Sequence, residues 1–384
     1  MAAAAGYIPP WHDTEVRELT ELAGHFYDRH MEPNRLKFTG QRAVDRWVWE
    51  EAGRCGLLCC SIPQEYGGGG GDIAHDLAIV EAEVARPGNE WGHLVHALVA
   101  HYILEYGTPE QRQQWLPKMA RGEVVAAIAM TEPSAGSDLK SLRTRASLRG
   151  DRYVINGSKT FISNGALADL ILVVAKTDPT AGAKGISLIC VEPGDAAGFQ
   201  RGRNLVKLGL HSYDTVELFF HDVEVPAENL LGGVPGEGFA QLMAQLPRER
   251  LIAAATAVCS MEVAVCETVS YAKDRLAFDQ RLMDMQNTRF VLAEAATAAH
   301  AARVYLDSCV IRFRSGALDA VDAAMCKWWL TDQQCRVIDS CLQVFGGYGY
   351  MAEYPIARLY ANARVQKIYA GTNEIMKEIV ARSL

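Results

Sequence analysis

The chain lacks an uninterrupted apolar run of the roughly 18–20 residues that a bilayer-spanning helix requires, so a membrane span is not expected. It lacks a basic excess: 38 Lys and Arg face 46 Asp and Glu, leaving a formal charge of −8. That balance argues against nucleic acid as the main partner, because a phosphate-binding surface carries a net positive charge. A local basic site for a phosphorylated cofactor stays compatible with it. The chain has no CxxC pair. Its ten cysteines, Cys55, Cys59, Cys60, Cys190, Cys259, Cys266, Cys309, Cys326, Cys335 and Cys341, read as buried free thiols in a reducing compartment. His93, His96 and His101 cluster in the sequence, but no carboxylate or cysteine joins them at metal-ligand spacing, so no metal site is expected. Met1 to Pro10 is Ala-rich, without the basic and long apolar segments of a secretory signal. It is also too short and too poor in Arg for a mitochondrial presequence, although a processed chain would look the same.

What is present is size and pattern. With 384 residues, two or three domains are expected. Hydrophobic residues make up 49% and charged residues 22%, the balance of a globular protein. Residues 12 to about 122 read as helical, with amphipathic segments at Thr14 to His30, Gln41 to Gly53, Trp91 to Glu105 and Pro109 to Met119. Thr108-Pro109-Glu110-Gln111 reads as a helix start, with Thr as N-cap and Pro in the first turn. From about Val124 to Val225 strand-formers cluster between Gly, Asp, Asn and Pro: VVAAIAM, RYVINGSKTFIS, LILVVAKT, GISLICVE and TVELFFHDVEV. Helical periodicity then returns over Gly238 to Arg275, Asp284 to Phe313, Ala317 to Phe345 and Ile356 to Ser383, enough for a four-helix bundle. The expected fold class is α+β: an N-terminal helical domain (1–122), a middle β-domain of barrel or sandwich type (123–232) and a C-terminal helical bundle (233–384). Gly67 to Gly71 lacks the Lys-Ser/Thr of a phosphate loop and reads as a flexible turn.

One residue stands out by periodicity. Leu242, Leu246, Glu249, Ala253, Thr256 and Ser260 recur at spacings of three and four, placing Glu249 on a mostly apolar helical stripe. A carboxylate there is either a buried functional group or a structurally paired one.

Four segments carry a resemblance. They are Ala129-Met130-Thr131-Glu132-Pro133-Ser134-Ala135-Gly136-Ser137-Asp138; Asn156-Gly157-Ser158-Lys159-Thr160-Phe161-Ile162-Ser163-Asn164-Gly165; Arg275-x-x-Phe278 with Gln286 beyond it; and Gln343-Val344-Phe345-Gly346-Gly347-Tyr348-Gly349-Tyr350 followed by Tyr369-Ala370-Gly371-Thr372-Asn373-Glu374-Ile375. In order and spacing the chain resembles the acyl-CoA dehydrogenase family, and LPRERL, EYPIARLY and GTNEIMKEIVAR are most similar to its long-chain branch, with the isovaleryl-CoA dehydrogenase branch next.

The resemblance implies one FAD per subunit. Met130 and Thr131 would face the edge of the flavin ring, Phe161 would stack where the family usually has Trp, and Ser163 would keep the hydroxyl of the usual Thr. Ser137 would lie near the pyrophosphate or the acyl-CoA. Arg275, Phe278, Gln286, Gln343, Gly346, Gly347, Thr372 and Glu374 would contact FAD, with Gln343 and Gly347 reaching the FAD of a neighbouring subunit in a homotetramer. The implied reaction is acyl-CoA oxidation to trans-2-enoyl-CoA, with electrons passed to an electron-transfer flavoprotein. Many members carry the catalytic Glu just before Gly-Thr in the last motif, where this chain has Ala370. The long-chain and isovaleryl branches carry it before an Arg on the first helix of the C-terminal domain, which here is Glu249-Arg250. Glu249 is therefore the expected base, with Arg250, Ala370 and Gly371 on the substrate side. Asp279 departs from the family's glycine after Phe278. Two other readings stay open: a monooxygenase or oxidase on the same fold, and a non-catalytic CoA-binding paralogue. Bleaching of the flavin by acyl-CoA separates the first, and absent flavin absorbance the second. A bacterial cytoplasm, or the mitochondrial matrix for a processed chain, is the expected location.

Overall fold

The structure is a computed structural model and describes residues 7–194 and 196–384. The Ala-rich start falls, over residues 1–6, outside the described residues. The N-terminal helices are α1 (Thr14–Phe26), α2 (Arg35–Gln41), α3 (Arg46–Arg54), α4 (Ile73–Val84), α5 (His93–Tyr106) and α6 (Pro109–Ala120). Thr108 caps α6 as expected: its hydroxyl accepts from the Gln111 N–H while the Gln111 side chain accepts from the Thr108 N–H. Two expected helices are shorter than the sequence pattern suggests. The first loosens into a π-turn at Tyr27–Met31. The segment expected from Gln41 begins only at Arg46, because Arg42 adopts φ 58° and ends α2.

The middle strands are β1 (Ala126–Ala129), β2 (Arg145–Arg149), β3 (Arg152–Ser163), β4 (Leu170–Lys176), β5 (Ile186–Val191), β6 (Phe199–Asn204) and β7 (Thr215–Pro226). Among the described residues they form one curled sheet in the order β1-β4-β2-β3-β7-β6, with β5 also on β4. The expected barrel or sandwich is thus a single sheet, joined between β2 and β4 only by the Arg145–Lys176 pair. β2 and β6, rich in Arg and exposed, carry no apolar alternation and were not expected. β3 slips register against β7 between Lys159 and Ile162, a bulge that re-aims side chains.

The C-terminal part holds α7 (Gly238–Asp274), a hairpin of β8 (Leu276–Ala277) and β9 (Gln280–Arg281), α8 (Gln286–Arg314), α9 (Ala320–Val344), α10 (Pro355–Gln366) and α11 (Asn373–Ala381). The continuous helix expected over Ile356 to Ser383 is broken between Gln366 and Asn373, where Ala370 (φ 52°) and Gly371 (φ 88°) turn left-handed. One helix is long and apolar enough to cross a bilayer even though charged residues interrupt its apolar text. By length and composition α7 qualifies, but 67% of its apolar stretch is buried in the protein and it is the core helix of the bundle. Nor is the glycine run flexible. Gly69 and Gly71 donate to the Cys59 and Cys60 carbonyls, and a Cβ on Gly68 would lie 2.2 Å from the Ile62 carbonyl oxygen.

The helical and sheet parts are joined at α5 and β1. The Ala126 N–H donates to His96 Nδ1 (3.2 Å), which fixes the ring proton on Nε2, facing the Met119 carbonyl at 3.1 Å. Asn164 donates to the carbonyls of Gly92 and Ala126. None of the ten cysteines is in a disulfide, and seven are buried.

Candidate active site

Glu249 lies on α7 where that helix faces α5. The phenol of Tyr102, itself fully buried, donates to Glu249 Oε1 at 2.9 Å. Desolvation pushes the Glu249 carboxyl above the usual carboxylate range, opposed by the Tyr102 hydrogen bond and the Arg250 charge. The net effect is a carboxylate made more basic while still held in place.

The residues beside this pair are anchored too. Arg248 Nη2 donates to Ser61 Oγ (2.8 Å) and pairs with Asp76, while Ser61 also bonds Asp76 (2.7 Å) and His101 Nε2 (2.7 Å). All four are buried. Because His101 precedes Tyr102 and Arg248 precedes Glu249, this cluster fixes how α5 and α7 meet. Burial holds the His101 imidazole down at about 4, with the nearby Arg248 charge in the same direction, so the ring is neutral at physiological pH.

Arg250 is buried, and its Nε has no hydrogen-bond partner among the described residues. Its Nη2 lies 4.0 Å from where a Cβ on Gly371 would stand, bringing the end of the Ala370–Gly371 turn next to the Glu249-Arg250 pair. Beneath that turn the fully buried Lys327 donates to the Gly371 carbonyl (2.7 Å) and to Asn373 Oδ1 (3.0 Å). Desolvation lowers the Lys327 ammonium to about 7, reinforced by the Arg250 charge.

The first two motifs meet at the ends of β1 and β3. Thr160 N–H donates to the Thr131 carbonyl (2.9 Å), and Lys159 Nζ bonds the Met130 carbonyl (3.0 Å) and Glu132 Oε1 (2.9 Å). Glu132 also accepts from the Arg143 and Thr144 N–H groups. Phe161, inside the β3 bulge at φ 60°, is 67% exposed, so it is not an ordinary core aromatic. Ser163 ends β3 opposite Thr215, and Ser137 sits in the exposed loop after β1. Met130 packs on the apolar cluster that holds Tyr102, Ala135 and Leu242, so this edge of the sheet borders the Glu249 region.

A second group lies elsewhere. Arg275 caps α7, 26 residues beyond Glu249, about 39 Å along the helix. Its guanidinium sits over the Tyr348 ring (5.6 Å), and the two line a cleft of about 420 Å³ with Gly346 and Gly347. A Cβ on either glycine would meet nothing within 4 Å, so the backbone is open to a ligand. Phe278 is 91% exposed at the tip of the hairpin, where Phe278 and Asp279 both take positive φ, a conformation Asp tolerates well. Gln286 starts α8 and Gln343 lies in the last turn of α9, both exposed. Thr372 and Glu374 belong to the Gly371 side. The Thr372 hydroxyl caps α11 by accepting from Ile375 N–H (3.4 Å), and the exposed Glu374 carboxyl is held below the usual range by its own backbone N–H. The motif residues therefore form two groups within one chain.

Sequence reasoning missed Tyr102, Lys327 and the Ser61–Asp76–His101–Arg248 cluster. Asp76 inside the apolar run IAHDLAIV was the available signal, since an acid within a buried helix needs a partner. The three histidines first weighed as metal ligands are each engaged otherwise: His93 with Glu83 (3.1 Å), His96 with backbone and His101 with Ser61.

The carboxylate on α7 and the exposed Phe161 in the bulge of β3 belong to one group, and the guanidinium above the open diglycine cleft to the other. The chain belongs to the acyl-CoA dehydrogenases, a family of FAD-dependent oxidoreductases. Its N-terminal, middle and C-terminal domain models match residues 13–123, 127–223 and 236–384. The mitochondrial long-chain specific acyl-CoA dehydrogenase of Mus musculus is 43% identical over 95% of this chain and 85% of its own length. An acyl-CoA dehydrogenase of Bacillus subtilis (strain 168) is 38% identical over 87% of this chain and 88% of its own. The crystal structure of acyl-CoA dehydrogenase from Geobacillus kaustophilus superposes with a TM-score of 0.94 at 42% identity, covering 98% of this chain and 99% of that one. Relatives thus occur in both mitochondria and bacteria. The reading as a monooxygenase or a non-catalytic paralogue is not favoured.

Proposed function

We propose that this enzyme oxidises a medium- to long-chain, including branched, acyl-CoA to its trans-2-enoyl-CoA, with Glu249 as the base. The observation that carries the assignment is Glu249 itself: a desolvated carboxylate bonded to Tyr102, followed by Arg250, beside a turn that has Ala370 where many relatives have their acid. Raised basicity suits removal of a weakly acidic α proton near neutral pH. In the step, the α C–H bond breaks, the proton goes to a Glu249 oxygen, and the C–H electron pair forms the new C=C bond. Bound FAD supplies the acceptor for the hydride that leaves the β carbon. The thioester carbonyl is polarised by a backbone N–H at Ala370, a donor independent of side-chain identity. Arg250, with an unpartnered buried Nε, braces the substrate side together with Gly371.

Met130, Thr131, Phe161 and Ser163 line the flavin, and Ser137, Thr372 and Glu374 follow the rest of the cofactor. Arg275, Phe278, Gln286, Gln343, Gly346 and Gly347 serve the FAD of a neighbouring subunit, which the roughly 39 Å between Arg275 and Glu249 favours. A site shared between subunits supports a homo-oligomer, and we take it to be a homotetramer, with an electron-transfer flavoprotein as oxidant and a bacterial cytoplasm or mitochondrial matrix as location. We divide the chain at 122/123 and 232/233. Anaerobic titration of the FAD-loaded protein with straight and branched acyl-CoAs tests the reading. Bleaching of the flavin by the longer chains is expected, and bleaching only by a short dicarboxylic acyl-CoA would refute the substrate class.

A further inference from the structure

The Tyr102–Glu249 bond crosses from the N-terminal helices to the core helix of the bundle. Tyr102 has no exposed surface, and its hydroxyl meets one oxygen of the carboxylate. We propose that Tyr102 is a positioning residue for the base: its phenol holds Glu249 ionised and aimed into the site, occupying Oε1 and leaving Oε2 to take the substrate proton. The inference rests on Glu249 being the base.

The surroundings make Tyr102 the decisive donor. On its own helix Glu249 has Arg250, whose charge favours ionisation but which makes no hydrogen bond to it. On α5 it faces Tyr102, with Tyr106 one turn on and directed to Gln245. The Arg248 charge is consumed by Asp76 and Ser61 beside His101. On α9, Lys327 lies beyond Arg250 and is spent on Gly371 and Asn373. Burial and the neighbouring carboxylate push the Tyr102 phenol far above its ordinary range, so it stays a donor at every working pH. A hydrogen bond to the charged form of an acid favours that form and lowers its pKa, whereas burial raises it. Tyr102 therefore opposes the desolvation that raises the base.

The test is the pH dependence of flavin reduction by acyl-CoA in the FAD-loaded enzyme. In Tyr102→Phe the acidic limb is expected to move up by about one to two pH units, the size of a hydrogen bond to a charged group. The alkaline plateau should fall modestly, since the carboxylate loses its anchor, and KM should be nearly kept. A fluorinated tyrosine placed at 102 alone, a stronger donor of the same shape, should move the limb down and guards against a folding defect in the Phe variant. A limb that stays in place in both, with only the plateau or KM changed, overturns the role of Tyr102. Glu249→Gln is the control: if it reduces flavin at the wild-type rate, the base assignment itself fails, and the Tyr102 role with it.

Discussion

Lys159 offers a quantitative test of how the flavin-facing edge is held. Its side chain is 0% exposed, and its ammonium bonds the Met130 carbonyl and Glu132 Oε1. Burial pushes the Glu132 carboxyl up, but Lys159 and the Thr144 and Arg143 hydrogen bonds outweigh it and hold the group below its usual range. Lys159→Met removes both bonds made by the ammonium at similar side-chain length. Glu132 keeps its two backbone donors but loses the compensating charge, and breaking a buried pair in this way costs about 3–5 kcal/mol. The Met130 carbonyl also loses a donor at the strand end proposed to face the flavin. We expect a lower urea midpoint together with loss of bound FAD, read from absorbance after gel filtration. Adding Glu132→Gln should recover part of the lost stability, because it removes the unpaired charge while its single amide oxygen keeps one of the two backbone N–H groups, which bond different oxygens of Glu132. If the double variant is as unstable as the two single losses added together, the pair is not coupled and the reasoning fails.

Three further outcomes concern Glu249, Ala370 and His96. Glu249→Gln should bind FAD and acyl-CoA yet reduce flavin about 10²–10⁴-fold more slowly in stopped-flow absorbance; Glu249→Gly with Ala370→Glu should regain part of that rate, since Ala370 already has a left-handed backbone and its turn abuts Arg250. The His96 ring is held by burial at about 4 instead of 6.5, so it contributes stability that is full above pH 6.5 and lost as pH falls through 4, about 3 kcal/mol by linkage. In denaturation curves from pH 7 to 4, His96→Gln should reduce that dependence and leave the share of His101, which burial also holds at about 4; an unchanged slope would rule His96 out as a source.

The three-part α-β-α order was legible because strong periodicity and β-branched runs mark the segments that bury most surface, and β3 and α7 emerged almost as read. β2 and β6 were not legible, since strands exposed on one side and rich in Arg carry no apolar signal. The break at Ala370 was hidden for another reason. Ala is a strong helix former, and the left-handed turn there is stabilised by tertiary anchors, from Lys327 to Gly371 and Asn373 and from Asn373 to Thr331 and Trp328. Glu249 was visible as a charge on an apolar stripe. Its partner was not, because a tyrosine in a buried helix looks like any core aromatic until the opposing helix is in place.

That last point bears on where the base strength resides. Glu249 is supplied by α7, but its desolvation and its hydrogen bond come from packing against α5, and the Ser61–Asp76–His101–Arg248 cluster locks that packing one residue away on each helix. An isolated α7 would carry an ordinary solvated glutamate. The two effects oppose each other: burial raises the carboxyl above its usual range, and the phenol lowers it. Only the seam between the N-terminal helices and the bundle provides both, so the acidity of this residue is a property of how the two parts dock rather than of the motif that contains it.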